Sequence, residues 1–270
     1  MTLQLHQGDC LEKMKLIADK SVDLIICDLP YGCLATGAGK EKLKRADHPD
    51  KSNNRVEGTI AGCPWDIKID LEPFWKEIKR IRKDDHTPCL HFCSTKFGND
   101  LINSNPDEFR YDLVWSKPNA VGFLSANKKP MSSHEMIYVF SKKGATYNRI
   151  DIEGDFPKGG GGRSAASFIT DINKMKNINS TVEGKRCVKS VVDISNKKEK
   201  GQHPTAKPTD LYRWLITRYS KEGNTVLDPT FGSGNSGLVC KELKRNYIGI
   251  EMNDDFYKKA EERFTVNYNI

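Results

Sequence analysis

Residues 224–251 leave this chain few folds. A short run rich in β-branched residues, "NTVLD", leads into a glycine-rich turn, "PTFGSGNSG", a helix in "SGLVCKELK" and a second strand, "YIGIE". Strands alternating with helices imply a parallel sheet covered by helices on both faces. The N-terminal end repeats the pattern: "TLQLHQGD" reads as a strand, "CLEKMKLIADK" as a helix with Leu11, Met14, Leu16 and Ile17 at helical spacing, and "VDLIIC" as a strand buried on both sides. "DLEPFWKEIKRI" is a helix with Leu71, Phe74, Trp75, Ile78 and Ile81 on one face. "PCLHFC", "YDLVWSK" and "EMIYVFSK" are three further strands, "PTDLYRWLITRYS" is a helix, and "DDFYKKAEERF" closes the chain behind an acidic cap pair.

The glycine turn carries chemistry as well as shape. Gly232 and Gly234 let the backbone approach a ligand closely where a helix begins. Glu251 ends the next strand 17 residues past Gly234, placed to accept from ribose hydroxyls. No Gly-Lys-Ser/Thr occurs there, so this is not a Walker phosphate loop. The pattern fits an adenosine-containing cofactor, and at this level an NAD enzyme would serve equally well.

Two stretches lack this order. Residues 35–60 are charged and poor in apolar periodicity, and are expected to form a mobile loop; loops of that length in compact domains are functional or disordered. From 145 to 202 the chain is polar and basic, with a low-complexity "GGGGRSAAS". The 270 residues carry 43 Lys and Arg against 36 Asp and Glu, a net charge of +7 that favours a polyanionic partner without deciding it. No run of about 18 apolar residues exists, so no membrane span is expected. The first residues read as a strand and not as a signal peptide, so a cytoplasmic location and reduced thiols are expected for all eight cysteines. Cys89, His91 and Cys93 alternate on one strand face; we expect them to be packed core residues, with no metal.

The stretch "SVDLIICDLPYG", residues 21–32, ends a buried strand on Asp28. Open α/β sheets place their chemistry at the C-terminal ends of strands. Pro30 stiffens the turn and Tyr31 brings a flat ring beside the acid. Such a group can stack on an extruded base while the carboxylate and a backbone carbonyl accept from its exocyclic amine. A turn with a capping aspartate and a packed tyrosine is the plainer reading of the same residues.

"DLPYG" resembles the Asp-Pro-Pro-Tyr motif of the amino-methyltransferases that use S-adenosylmethionine to methylate adenine N6 or cytosine N4 in DNA. "LDPTFGSGNSG" resembles their cofactor loop, "HPTAKP" (203–208) the segment before it, and "WDIKIDLEPFWKEIKRI", "YDLVWSKPN" and "SSHEMIYVFSKKG" segments in between. The catalytic motif comes first and the cofactor loop last, as in the permuted beta class. The resemblance implies a Rossmann-like methyltransferase fold with a mostly parallel seven-stranded sheet. Residues 1–144 would form the catalytic half, 145–202 an inserted target-recognition region and 203–270 the cofactor half. It implies catalytic roles for Asp28, Leu29, Pro30 and Tyr31. Cofactor contacts would come from Asp9, Cys10, Asp28, Thr205, Lys207, Asp228, Phe231, Gly232, Ser233, Gly234, Asn235 and Glu251. Arg163, Lys174, Lys176, Lys185 and Arg186 would contact duplex DNA. A cognate restriction endonuclease and a homodimer are among the partners such a protein admits. Leu29 stands where the family usually has proline, yet it supplies the same carbonyl. Phe231 lies one place beyond the usual phenylalanine, at Thr230.

Asp at the head of the motif implies N6-adenine, since N4-cytosine enzymes more often carry serine there; N4-cytosine is the alternative. Cytosine C5 methylation would need a Pro-Cys nucleophile with a Glu-Asn-Val partner; Pro88-Cys89 begins a strand and the partner is absent. A non-catalytic nucleic-acid-binding protein would need none of Asp28, Tyr31, Glu251 and the glycine loop. An RNA or protein-glutamine target is a further alternative, and the large basic insertion favours nucleic acid.

Overall fold

The computed structural model describes residues 1–31, 68–154, 184–197 and 206–266. The expected mobile loop and most of the expected recognition region lie outside the described residues, and with them Arg163, Lys174, Lys176 and Thr205.

The strands, in chain order, are β1 (Leu3–Gln7), β2 (Leu24–Cys27), β3 (Cys89–Cys93), β4 (Phe109–Val121), β5 (Ser132–Phe140), β6 (Ile152–Glu153), β7 (Lys185–Arg186), β8 (Val191–Asp193), β9 (Thr225–Asp228) and β10 (Asn246–Glu251). The helices are α1 (Cys10–Met14), α2 (Leu71–Ile81), α3 (Thr95–Ser104), α4 (Thr209–Tyr219), α5 (Asn235–Glu242) and α6 (Asp254–Val266). One sheet runs β1-β10-β9-β2-β3-β5-β4-β8. Seven of its strands make the expected frame, with β5 antiparallel to both neighbours and the remaining pairs parallel. The eighth, β8, comes from the expected recognition segment and adds to β4 at the edge, from Val114↔Val191 to Ser116↔Asp193. β6 and β7 form a separate two-stranded ribbon.

The continuous apolar runs follow from this layering. Successive strand residues face opposite sides of the sheet. On one side Leu24, Ile26, Leu90, Phe92, Ile137 and Val139 pack with Leu211, Leu215 and Ile216 of α4, Val239 of α5 and Phe264 of α6. On the other, Ile25, Cys27, Cys89 and Cys93 pack with Met14 of α1, Phe74, Trp75 and Ile78 of α2, and Phe97 and Leu101 of α3. The helices of the N-terminal half therefore cover one face and those of the C-terminal half the other.

Three elements differ from the sequence expectation. Helix α1 stops at Met14, and Leu16 is 68% exposed. The Arg80 guanidinium donates to the Met14 and Ile17 carbonyls, satisfying the groups that a longer helix would have used. Helix α3 lies between the expected strands "PCLHFC" and "YDLVWSK"; it buries Phe97 and Leu101 one turn apart and carries Gly98 in its middle. Ser94 caps it, and a Cβ on Gly98 would lie 2.5 Å from the Tyr138 ring. Helix α6 is capped by the Asn253 side chain, which accepts from Asp255 and Phe256 N–H groups, with the expected acids one step inside.

Gly237 completes a G-x-G-x-x-G pattern with Gly232 and Gly234. A Cβ there would come within 2.5 Å of Phe264 and 2.8 Å of Tyr247, so the close approach of α5 to β10 requires glycine. Gly237→Ala adds helix propensity, yet overpacking of this kind costs about 1–3 kcal/mol. The variant is expected to have a lower urea midpoint than the natural chain, as followed by circular dichroism.

Candidate active site

β9 and β2 are neighbours at the centre of the sheet, with Ile25 paired to Leu227. From β9 the chain crosses to β10 on one side, and from β2 to β3 on the other. The strand order thus reverses between them, and the crevice at their C-terminal ends is where open α/β sheets bind ligands. Asp228 ends β9, and Asp28 follows β2 directly.

On the β9 side the backbone turns through Gly232 and Gly234, both at positive φ, 53° and 75°. A Cβ on Gly232 would meet nothing within 4 Å, so the turn opens onto free space. Glu251 holds the turn from the tip of β10. It accepts from Gly232 N–H at 2.9 Å and from Asn253 N–H at 2.7 Å, and burial raises its pKa. Phe231 is buried and its N–H bonds the Ile250 carbonyl. The Ser233 carbonyl accepts from Arg263. Asn235, also buried, accepts from Arg263 and donates to the Lys207 carbonyl at 2.8 Å.

Asp228 works from beneath the turn. It is 1% exposed, accepting from Thr230 N–H at 3.1 Å and from the Ser236 hydroxyl at 2.6 Å. It braces the turn that the resemblance assigns to the cofactor. Asp9 likewise caps α1, accepting from the Leu11 and Glu12 N–H groups, while Cys10 is buried behind it with its thiol pushed up to about 12 by burial.

On the β2 side Asp28 is held from two directions. Lys207 Nζ donates to both its oxygens, at 2.9 and 2.7 Å, and the Tyr31 hydroxyl donates at 3.0 Å. Lys207 is 6% exposed and is no ordinary surface lysine. Burial alone would lower its pKa, but the carboxylates of Asp28 and Glu135 outweigh that and raise it. Tyr31 stacks on Phe97, centroids 5.2 Å apart. Leu29 is buried and Pro30 half-buried, fixing the turn between acid and ring.

Two residues that the sequence did not single out complete the site. Glu135 of β5 lies 3.5 Å from Lys207 and is bonded to Lys117 of β4, which sits 4.6 Å from the Trp115 ring centroid. Charges alternate along the row Asp28, Lys207, Glu135, Lys117. A cavity of about 280 Å³ opens beside it, lined by Tyr31, Cys93, Ser94, Lys117, His134 and Glu135. Glu135 had one signal in the sequence: a charge at the head of an apolar strand. That strand runs antiparallel, so its start lies at the edge where the parallel strands end.

Cys89 and His91 do meet, with Sγ 3.3 Å from Nε2, but their third neighbour is Cys27 and not Cys93. Cys27 pairs with His91 across the sheet, while Cys93 lies two residues further along its own strand. The group is enclosed by Phe74, Trp75 and Phe140.

A DNA methylase family model, for N6/N4 methyltransferases, matches residues 22–262. The chain belongs to this family. It is 35% identical over its whole length to Type II methyltransferase M.HpaI of Haemophilus parainfluenzae, spanning 76% of that protein. It is 37% identical over 96% of its length to M2.DpnII of Streptococcus pneumoniae, spanning 88% of it, and 31% identical over 95% of its length to M.HinfI of Haemophilus influenzae, spanning 67% of it. The match to M.XycI of Xanthomonas campestris pv. cyanopsidis, 32% identical, takes in 57% of this chain and 43% of that protein. Among solved structures, the chain resembles PvuII DNA methyltransferase (cytosine-N4-specific) with a TM-score of 0.63 at 16% identity, covering 98% of this chain and 86% of that one. The M1.HpyAVI–SAM complex gives 0.56 at 18%, covering 97% and 98%. The cofactor of this methylase is S-adenosylmethionine, and the open glycine turn with a carboxylate at the next strand tip fits its adenosine and ribose. No helix of the described residues is long and apolar enough to cross a membrane.

Burial raises the Asp228 carboxyl to about 7. Its folded pKa then exceeds its unfolded value, so the folded state binds the extra proton. The natural chain should lose stability as pH rises from about 4 to 7 through this group. In Asp228→Asn that part of the slope should vanish, as read by urea unfolding at several pH values.

Proposed function

We propose that this methylase transfers a methyl group to N6 of adenine in duplex DNA, with the base drawn out of the helix into the cavity beside Tyr31. The observation that carries this reading is Asp28, a carboxylate at the tip of a central strand, fixed by Lys207 and Tyr31 beside a cavity sized for one flat base.

An exocyclic amine is a poor nucleophile because its lone pair is delocalised into the ring. Asp28 and the Leu29 carbonyl each accept one of its N–H bonds, which draws the nitrogen toward tetrahedral geometry and frees the lone pair. Three of the positions around the Asp28 oxygens are taken by Lys207 and Tyr31, leaving one on Oδ2 for the amine. Bound S-adenosylmethionine supplies an electrophilic methyl group on sulfur. As the nitrogen gains positive charge, the bonds to Asp28 strengthen, and the carboxylate can take the proton that the methylated nitrogen sheds. Tyr31 stacks on the base from a ring already steadied by Phe97.

Glu251, Gly232, Ser233 and Gly234 would hold the cofactor, with Asn235 and Lys207 fixing the wall between cofactor and base. The acid at position 28 favours adenine over cytosine N4. Lys185 and Arg186, exposed on β7, belong to the segment that would contact DNA; phosphate contacts of this kind position a protein without reading sequence.

Asp28→Ala should lower methyl transfer by about 100-fold or more, as expected for loss of one preorganised group, while S-adenosylhomocysteine affinity stays near normal. Mass spectrometry of nucleosides from treated duplex should show N6-methyladenine; N4-methylcytosine alone would reverse the base assignment. Glu251→Ala should weaken S-adenosylhomocysteine at least ~10-fold by calorimetry, because a charged acceptor is lost. Unchanged affinity would remove Glu251 from the ribose.

A further inference from the structure

Strands β4 and β5 run past the rest of the sheet as a hairpin. Their last pair, Val121↔Ser132, lines the cavity beside Tyr31, so the tip continues from the cavity's mouth. The turn begins at Gly122, at φ 97°, and a short turn of 3₁₀ helix follows over Phe123–Ser125. Apolar side chains gather there in the open: Phe123 is 77% exposed, Leu124 fully, Val121 51% and Met131 38%. Single exposed apolar residues need no explanation, but four on one tip form a patch, and such patches mark contacts. Lys128 and Lys129 stand on the same tip, exposed and without an ion pair among the described residues.

We propose that this hairpin is a DNA wedge: Phe123 and Leu124 enter the base stack beside the target, and Lys128 and Lys129 hold flanking phosphates. The inference rests on the duplex-DNA reading above. A base drawn into the cavity leaves a gap in the stack, and an apolar side chain inserted there offsets the lost stacking. The gap opens where the base leaves, which is at the mouth of the cavity where this tip stands. The paired lysines fit a polyanion and oppose a second copy of the same tip, so charge favours nucleic acid over self-association.

The test uses the full chain and a duplex containing its methylation site, once intact and once with the target's partner nucleotide made abasic. Phe123→Ser with Leu124→Ser should lower turnover on the intact duplex at least ~10-fold and come within about threefold of the natural chain on the abasic one, where extrusion needs less help. S-adenosylhomocysteine affinity should be unchanged, which reports an intact fold. Lys128→Gln with Lys129→Gln should lower the slope of log affinity against log salt by about 1–2. An equal loss on both duplexes, no loss on either, or conversion of a dimer to a monomer by the apolar variant would overturn the wedge while leaving duplex methylation standing. A natural chain that methylates single strands or RNA but no duplex would overturn both.

Discussion

The ion pair between buried Lys207 and half-buried Asp28 joins residues 179 apart in the chain. Two opposite charges out of water are costly unless their remaining bonds are satisfied, and removing either leaves the other uncompensated. Here the surroundings supply those bonds. Tyr31 gives a third contact to Asp28, Glu135 a second carboxylate near Lys207, and Asn235 fixes the Lys207 backbone. The pair thereby ties the strand that ends at the reactive edge to the turn that faces the cofactor.

That tie explains how a chain with its catalytic segment first and its glycine turn last makes one site. The sheet does not depend on the order in which its strands are written, only on which pair. β9 inserts between β10 and β2, and its turn and the Asp28 turn then emerge side by side. The two sets of helices cover opposite faces, so neither half can bury its strands alone. Gly237 lets α5 lie close to β10, and Asp228 braces the turn above it. Both are structural requirements of a site whose open side is built mostly from backbone.

Charge is distributed with the same economy. Asp28, Lys207, Glu135 and Lys117 alternate in sign, so a row of four ionised groups carries no net charge into a half-buried edge. Asp228 lies deeper, and burial raises its pKa.

The sequence by itself determined the alternation of strands and helices, the parallel frame of the sheet, the glycine turn with its acid at the next strand tip, and Asp28 with Tyr31 at the end of β2. These are local patterns: apolar runs, caps, glycines and spacings within about 30 residues. Helix α3 carries a glycine in its middle because Gly98 answers to the Tyr138 ring and not to its own neighbours in sequence. Cys27 replaced Cys93 beside His91 because cross-strand register, unlike alternation, cannot be read along one strand. Only the fold shows that Asp228 accepts from Thr230 and Ser236 and that one Asp9 oxygen caps α1. The row from Lys207 through Glu135 to Lys117 was decided by tertiary structure alone. The antiparallel direction of β5 brings the beginning of that strand to the edge where the others end, and no pattern within a segment encodes that reversal.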